Sequence, residues 1–365
     1  MGRRILKYFL RFLLVLLVTA FILVGTVYGM IYKMCNGPSK AAKATFITTI
    51  LETGQLKFLA SWVCSKEEIE EVVNSNKMGE MNTDIDKTLI QIGKNQNSKK
   101  DPKNPDKPAK EEVFDENGVR IEEVSGRTFY GKMMIIKDPS QVIVGTTYPF
   151  GEYGKNLDEI VSKYNAVGGV NGGLYQSDAN KGGRPYGVVV SQGQIQHNSP
   201  SQRGLYLIGF DQENLLVIKD LQGMNAAAVK AYIEEAHIRD AVTFQEEASD
   251  VNNHFVPLVI NGEGRELKGQ GSGSNPRTAI GQRADGAILL FVTDGRGAGG
   301  HLGATASDLI SVMLEYGAIN AANLDGGSSS SMVYNGKYEM TSVTFYYAHS
   351  SWRLPDAMVV LPPSK

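Results

Sequence analysis

Asn323-Leu324-Asp325-Gly326-Gly327-Ser328-Ser329-Ser330-Ser331 is the stretch around which the chain is organised. An apolar run, Ala318 to Leu324, leads into it, and Met332-Val333-Tyr334 leads out. The pattern predicts a strand, a tight glycine turn and a second strand. Paired glycines let the backbone come close to a ligand and take angles that other residues avoid. One carboxylate, Asp325, precedes four hydroxyls, and the N–H groups of such a turn can form an anion-binding concavity. Taken alone, the stretch also fits a polar β-turn. Two segments of similar texture favour a site: Asn275-Pro276-Arg277-Thr278-Ala279-Ile280-Gly281 and Thr293-Asp294-Gly295-Arg296.

On either side, the residues from 113 to 365 read as one strand-rich domain. Alternation over Val119–Val124 and Thr128–Ile136 predicts strands, and Val142-Ile143-Val144 predicts another. Hairpins are expected for Gly187–Ser191 with Gln194–His197, for Gly204–Phe210 with Leu215–Lys219, and for Arg277–Gly281 with Ala287–Thr293. Helices are expected over Asn156–Tyr164, Ala226–Ala236 and Thr305–Tyr316. The predicted class is α+β, a strand-rich mixed sheet with flanking helices. Forty glycines suit so many turns.

Towards the N-terminus the texture changes twice. Residues 94–112, KNQNSKKDPKNPDKPAKEE, hold almost no apolar side chains and read as a solvated linker. Before it, Ser65-Lys66-Glu67-Glu68 is a capping box, and Lys40 to Leu59 is a weaker helix signal. Residues 33–112 are therefore read as stalk and linker. Residues 12–32, FLLVLLVTAFILVGTVYGMIY, carry no charge. As a helix they span about 31 Å, the thickness of a bilayer's hydrocarbon core. Arg3, Arg4, Lys7 and Arg11 precede them and orient residues 1–11 to the cytoplasm, with the C-terminal domain outside a single-pass cell-membrane anchor. A cleaved signal peptide is the rival reading; its apolar core should be shorter, about 7–15 residues. Cys35 and Cys64 lack metal-ligand spacing. A net charge of -2 argues against nucleic acid as partner.

Gly295-Arg296-Gly297-Ala298-Gly299-Gly300 matches the dinucleotide fingerprint G-x-G-x-x-G. The strand before it closes a hairpin and no βαβ series surrounds it, so a loop over a cleft is the better reading. The polar strand ends, in order, are Asn171-Gly172-Gly173, Asn261-Gly262, Arg277, Asp294-Gly295-Arg296, and Asn323 with Asp325, Gly326, Gly327 and Ser328. If they converge, they join carboxylates, guanidiniums, amides and hydroxyls. Arginine pairs bidentately with phosphate oxygens, while amides and carboxylates suit sugar hydroxyls. The mixture fits a ligand that is part sugar and part phosphate.

These segments resemble the phosphodiester glycosidase family. The resemblance rests on Asn171-Gly172-Gly173 with Tyr175, on Pro276–Gly281, on Asp294-Gly295-Arg296, on Gly303 opening a helix, on Asn323–Ser329, and on Arg353. It covers roughly residues 125–361 and leaves out the anchor and stalk. Gly303-Ala304-Thr305 and Asp356 depart from the usual pattern, which calls for a larger apolar residue at the helix entry and an amide at 356. The resemblance implies hydrolysis of sugar-1-phosphodiesters, here of a cell-surface glycan or exopolysaccharide. It assigns Asp325 and Asp294 as nucleophile or base, and Arg277, Arg296 and the N–H groups around Gly326-Gly327 to phosphate. Asn171, Gly172, Asn323 and Ser328 complete the expected binding set. No cofactor is expected; a divalent cation such as calcium, held by the two aspartates, is the alternative. The rival functions are a non-catalytic glycan-binding or assembly protein and a phosphosugar transferase of polysaccharide biosynthesis.

Overall fold

A computed structural model describes residues 2–53, 56–93, 100–101, 104–108, 112–249, 253–342 and 350–364. Helix α1 (Gly2–Asn36) is followed by α2 (Lys40–Leu51), α3 (Phe58–Ser61) and α4 (Lys66–Ser75). Among the described residues α1 is the one helix long and apolar enough to cross a membrane. Phe12, Leu14, Phe21 and Leu23 stand exposed along it. Only its end is packed: Ile31 and Cys35 join Ile47, Leu51, Cys64, Ile69 and Val73 in a small core. The Ser65–Glu68 capping box opens α4 as the sequence predicts.

The C-terminal region has the expected α+β class. Its main strands are β1 (Val119–Ser125), β2 (Tyr130–Ile136), β3 (Val142–Thr146), β4 (Gly168–Asn171), β5 (Gly187–Ser191), β6 (Gln194–Ser199), β7 (Leu205–Asp211), β8 (Leu216–Asp220), β9 (Ile238–Gln245), β10 (Pro257–Ile260), β11 (Thr278–Arg283), β12 (Ile288–Thr293), β13 (Ala318–Asn323), β14 (Ser331–Tyr334), β15 (Lys337–Thr341) and β16 (Asp356–Val360). They divide among a seven-stranded sheet and two five-stranded sheets. In order these run Glu263–Gly264, β10, β13, β11, β12, β2, β1; then β8, β7, β9, β5, β6; then β15, β14, β4, β16, β3. The pairings that join these strands are antiparallel.

Alternation explains how the sheets stack. Successive side chains of a strand point to opposite faces. Ile288, Leu290 and Val292 of β12 enter a central core shared by all three sheets. Leu289 and Phe291 enter a second core on the other face, with α7 (Ala306–Glu315). A capping box of Thr305 and Asp308 starts α7, and Leu309, Ile310, Val312 and Met313 form its buried stripe. Helices α5 (Leu157–Lys163) and α6 (Ala226–Glu235) cover the outer faces of the other two sheets.

The segment read as a stalk is docked on this body. Gly79 donates its N–H to the Glu266 carbonyl at 2.7 Å, and Gln91 to Ala284 at 2.8 Å. Lys87 pairs with Asp211 at 2.6 Å. Asn261, expected to join the site, instead accepts from the Asp86 N–H and donates to the Asp84 carbonyl. The expected polar linker falls largely outside the described residues, apart from a short hairpin, Lys100–Asp101 with Asn104–Pro108.

Candidate active site

Strand ends meet where the seven-stranded sheet abuts the sheet containing β4 and β16. Asn171, the last residue of β4, fixes the junction. It is fully buried and its Oδ1 accepts from Thr278 Oγ1 at 2.7 Å and from the Ser331 N–H at 3.2 Å. Its Nδ2 donates to the Asp325 carbonyl at 2.6 Å. The Gly172 carbonyl in turn accepts from the Asp325 N–H at 3.3 Å. Asn171 and Gly172 therefore hold the Asp325 turn from behind. Asn323 is also internal, donating Nδ2 to the Phe255 carbonyl at 3.2 Å.

The turn itself is well anchored. The Gly327 N–H donates to the Pro276 carbonyl at 2.8 Å, and the Gly326 N–H to Asp325 Oδ1 at 3.0 Å. Both amides expected to meet phosphate are thus engaged within the protein. Arg296 takes the outward position. It is exposed, and its Nη1 donates to Ser328 Oγ at 2.7 Å. Gly327 has a φ of +61°, and a Cβ there would stand 2.7 Å from Arg296 Nη2, so glycine is required for the guanidinium to lie across the turn.

Asp325 is half-buried, and burial pushes its carboxyl up to about 7. The charge of Asp356 adds to the rise, while the Ser329 hydroxyl, the Gly326 N–H and Arg296 oppose it. Ser329 is itself fixed by the Tyr175 hydroxyl at 2.9 Å. Asp356 starts β16 beneath the turn, 1% exposed. Its Oδ1 accepts from the Gly173 N–H at 2.7 Å, and its Oδ2 has no partner among the described residues. Burial lifts this carboxyl also to about 7. The carboxylate coupled to Asp325 is therefore Asp356, a position that stood out in the sequence only as a departure from the family pattern.

Asp294 has other partners. Its Oδ1 accepts from the Tyr130 N–H at 2.8 Å, and its Oδ2 lies 2.6 Å from His301 Nδ1. The G-x-G-x-x-G segment between them is a folded-back loop: Arg296 N–H donates to Leu302, and Gly297 N–H to His301. Arg277, expected on phosphate, is 5% exposed and turned inwards. Its guanidinium lies against the Phe255 ring and pairs with Glu52. Sequence reasoning missed Glu52, because its partner is far away along the chain and no local pattern marks it. Among the described residues no group of three or more His, Cys, Asp or Glu side chains is arranged to hold a metal ion.

The strand ends thus present a polar turn in which a carboxyl raised to about 7 lies near an exposed arginine, on an α+β scaffold. The chain belongs to the phosphodiester glycosidase family, whose model matches residues 164–361. A stretch of 64 residues is 48% identical to an uncharacterized SPβ prophage-derived protein of Bacillus subtilis, YomE, covering 18% of this chain and 10% of that protein. The chain thus spans about a tenth of the length of this curated relative. Among solved structures, the zebrafish N-acetylglucosamine-1-phosphodiester alpha-N-acetylglucosaminidase catalytic domain, auto-inhibited by pro-peptide, is similar with a TM-score of 0.48 at 19% identity. That match covers 67% of this chain and 82% of the other. A hypothetical protein from Synechocystis gives a TM-score of 0.44 at 16% identity, over 67% and 61% of the two chains.

Proposed function

We propose that the chain is a membrane-anchored, outward-facing hydrolase that cleaves sugar-1-phosphodiesters of a cell-surface glycan or exopolysaccharide. The observation that carries the reading is the Asp325 turn, where a carboxyl with its pKa near 7 sits beside Arg296 and two serine hydroxyls. Proton transfer is most effective when the pKa lies near the working pH. Asp325 is assigned as general base. Water's oxygen bonds to the anomeric carbon as its proton passes to Asp325. The C1–O bond breaks, and its electron pair leaves on the phosphomonoester. Such a leaving group needs charge stabilisation more than protonation, and Arg296 with Ser328 supplies it.

Asp294 has a supporting role, because both its oxygens are engaged. With His301 it closes the base of the loop that carries Arg296. Arg277 also acts from within rather than on phosphate. The anchor reading rests on the length and apolar character of α1 and on the basic residues that precede its apolar run.

The test uses the full chain in detergent with the methyl-phosphate diester of N-acetylglucosamine-1-phosphate. Reducing sugar and methyl phosphate should appear with the wild type and not with Asp325→Asn. Oxygen-18 from labelled water should enter the sugar; label in the phosphate would mean P–O cleavage. No release from this or from other sugar-1-phosphodiesters would remove the glycosidase reading. Protease added to intact cells should reach the C-terminal domain if the orientation is right.

A further inference from the structure

The segment around α2 contributes a side chain that hydrolysis by Asp325 and Arg296 leaves unexplained. Glu52 follows α2, yet its carboxylate lies inside the C-terminal domain, with the side chain only 2% exposed. Oε1 accepts from the Gly273 N–H at 2.7 Å and from Asn253 Nδ2 at 3.4 Å. Oε2 accepts from Asn275 Nδ2 at 3.0 Å and from Arg277 Nη2. Thr49 adds two bonds, accepting from the Ser274 N–H at 3.1 Å and from Asn275 Nδ2 at 3.3 Å. The approach is backbone to backbone, since a Cβ on Gly273 would stand 2.3 Å from Thr49 N. So close a fit belongs to a built joint, not to a spacer resting on a surface.

The joint lies directly under the turn. Arg277 Nε donates to the Ala304 carbonyl at 3.1 Å, where the loop bearing Arg296 ends. Arg277 Cδ would lie 3.9 Å from a Cβ on Gly326. The carbonyl just before it, of Pro276, holds the Gly327 N–H. Residues 276 and 277 therefore join the turn and the loop: the Pro276 carbonyl holds the Asp325 turn, and the Arg277 guanidinium, which also donates to the Gly273 carbonyl at 2.7 Å and to Ser272 Oγ at 3.2 Å, holds the end of the Arg296 loop. A buried cation is costly unless it is paired and hydrogen-bonded. Among the described residues its ion-pair partner is Glu52.

We infer that Glu52 is a positioning residue of the active site, supplied by the membrane-proximal segment, which orients Arg277 and through it the Asp325 turn and the Arg296 loop. The catalytic part of this inference rests on the glycosidase reading; the structural part does not. The functional unit then begins upstream of the polar linker, and a chain cut to residues 113–365 lacks one of its parts.

The experiment compares the full-length wild type with Glu52→Gln, which keeps the shape, loses the charge and turns a donor towards Arg277. Glu52→Asp, which keeps the charge, is the second variant if Glu52→Gln fails to fold. Hydrogen exchange followed by mass spectrometry reads the turn without any substrate. Exchange should quicken in 325–329 and in 295–304, as well as in 40–53. Turnover of the sugar-1-phosphodiester should fall roughly tenfold to a hundredfold in kcat, the scale of a small misplacement, with KM changing less. Exchange that changes only in 40–53 overturns the inference. So does turnover that is unchanged, or that rises because the segment had been shielding the site. If the wild type hydrolyses no sugar-1-phosphodiester, the glycosidase reading falls, and the exchange pattern alone decides whether Glu52 holds the turn.

Discussion

Replacing Gly327 by alanine isolates the contribution of Arg296 without touching its charge. The new Cβ would stand 2.7 Å from Arg296 Nη2, where non-bonded heavy atoms need about 3.5 Å. The guanidinium must retreat by nearly the difference, roughly 0.8 Å. The clash falls on Nη2 while the 2.7 Å bond to Ser328 Oγ is made by Nη1, so the guanidinium must turn or shift as a plane and that bond is weakened with it. If Arg296 stabilises the charge developing on the leaving phosphate, the loss approaches that of one preorganised donor, about 2.7–4 kcal/mol or 10²–10³ in kcat. A separate stability cost arises because residue 327 has a φ of +61°, which disfavours a side chain by roughly 1–2 kcal/mol. Gly327→Asn separates the two effects, since asparagine tolerates that conformation better while still carrying a Cβ. The assay is release of reducing sugar at a temperature well below the melting point of every variant. Both variants should lose turnover alike, and alanine should melt lower. Wild-type kcat in Gly327→Ala with only a lower melting point would refute the placement of Arg296 on the phosphate.

Three further outcomes follow from the same geometry. The Asp356 carboxyl is raised by burial to about 7, above the ordinary value of about 3.9, so folding favours its protonated form. Its contribution to stability is complete below about pH 4 and is lost as pH rises to about 7; Asp356→Asn should flatten the fall of melting temperature across that window, and an unchanged slope would contradict the assignment. Asp294→Asn should disturb the His301 contact and lower kcat through the Arg296 loop while leaving α7 and the sheets intact; circular dichroism beside turnover reads this, and full activity would remove Asp294 from any role. Cys35 and Cys64 are free thiols buried in one small cluster. Oxidised glutathione should join them, with a mass loss of two hydrogens and protection of both from alkylation in denaturant; two alkylatable thiols after oxidation would count against that neighbourhood.

The elements that are clear in the sequence are those whose signal is local. Ile288–Thr293 reads as a strand because a run of apolar residues ends at a polar turn, and both of its faces prove to be buried. Thr305 and Asp308 start α7, and Ser65 and Glu68 start α4, because capping acts within four residues. Asn171 and Arg296 both reach the Asp325–Ser328 turn, and each lies at or just past the end of an apolar run, whereas Asp294, with the same texture, bonds to Tyr130 and His301. What each atom does was less legible. Gly326 and Gly327 have the composition of an anion cradle, but their N–H groups are already engaged by Asp325 and Pro276. Asn261 has the same strand-end texture as Asn171, yet it holds residues 84–86.

The Arg277–Glu52 pair shows why such assignments need the fold. An exposed arginine in a polar turn is free to meet phosphate; a buried one must first be neutralised. Removing one partner of a buried pair commonly costs about 3–5 kcal/mol, because the other charge remains in the interior. That is a large part of the roughly 5–15 kcal/mol that stabilises a domain. An ion pair at this depth therefore makes a poor plug, since lifting Glu52 away would also break the bonds to Gly273, Asn253 and Asn275. The same bonds make it a good brace. Reading Arg277 as a support also leaves Arg296 as the outward guanidinium at the turn, which is why the prediction for Gly327 bears on the mechanism more directly than any substitution at Arg277.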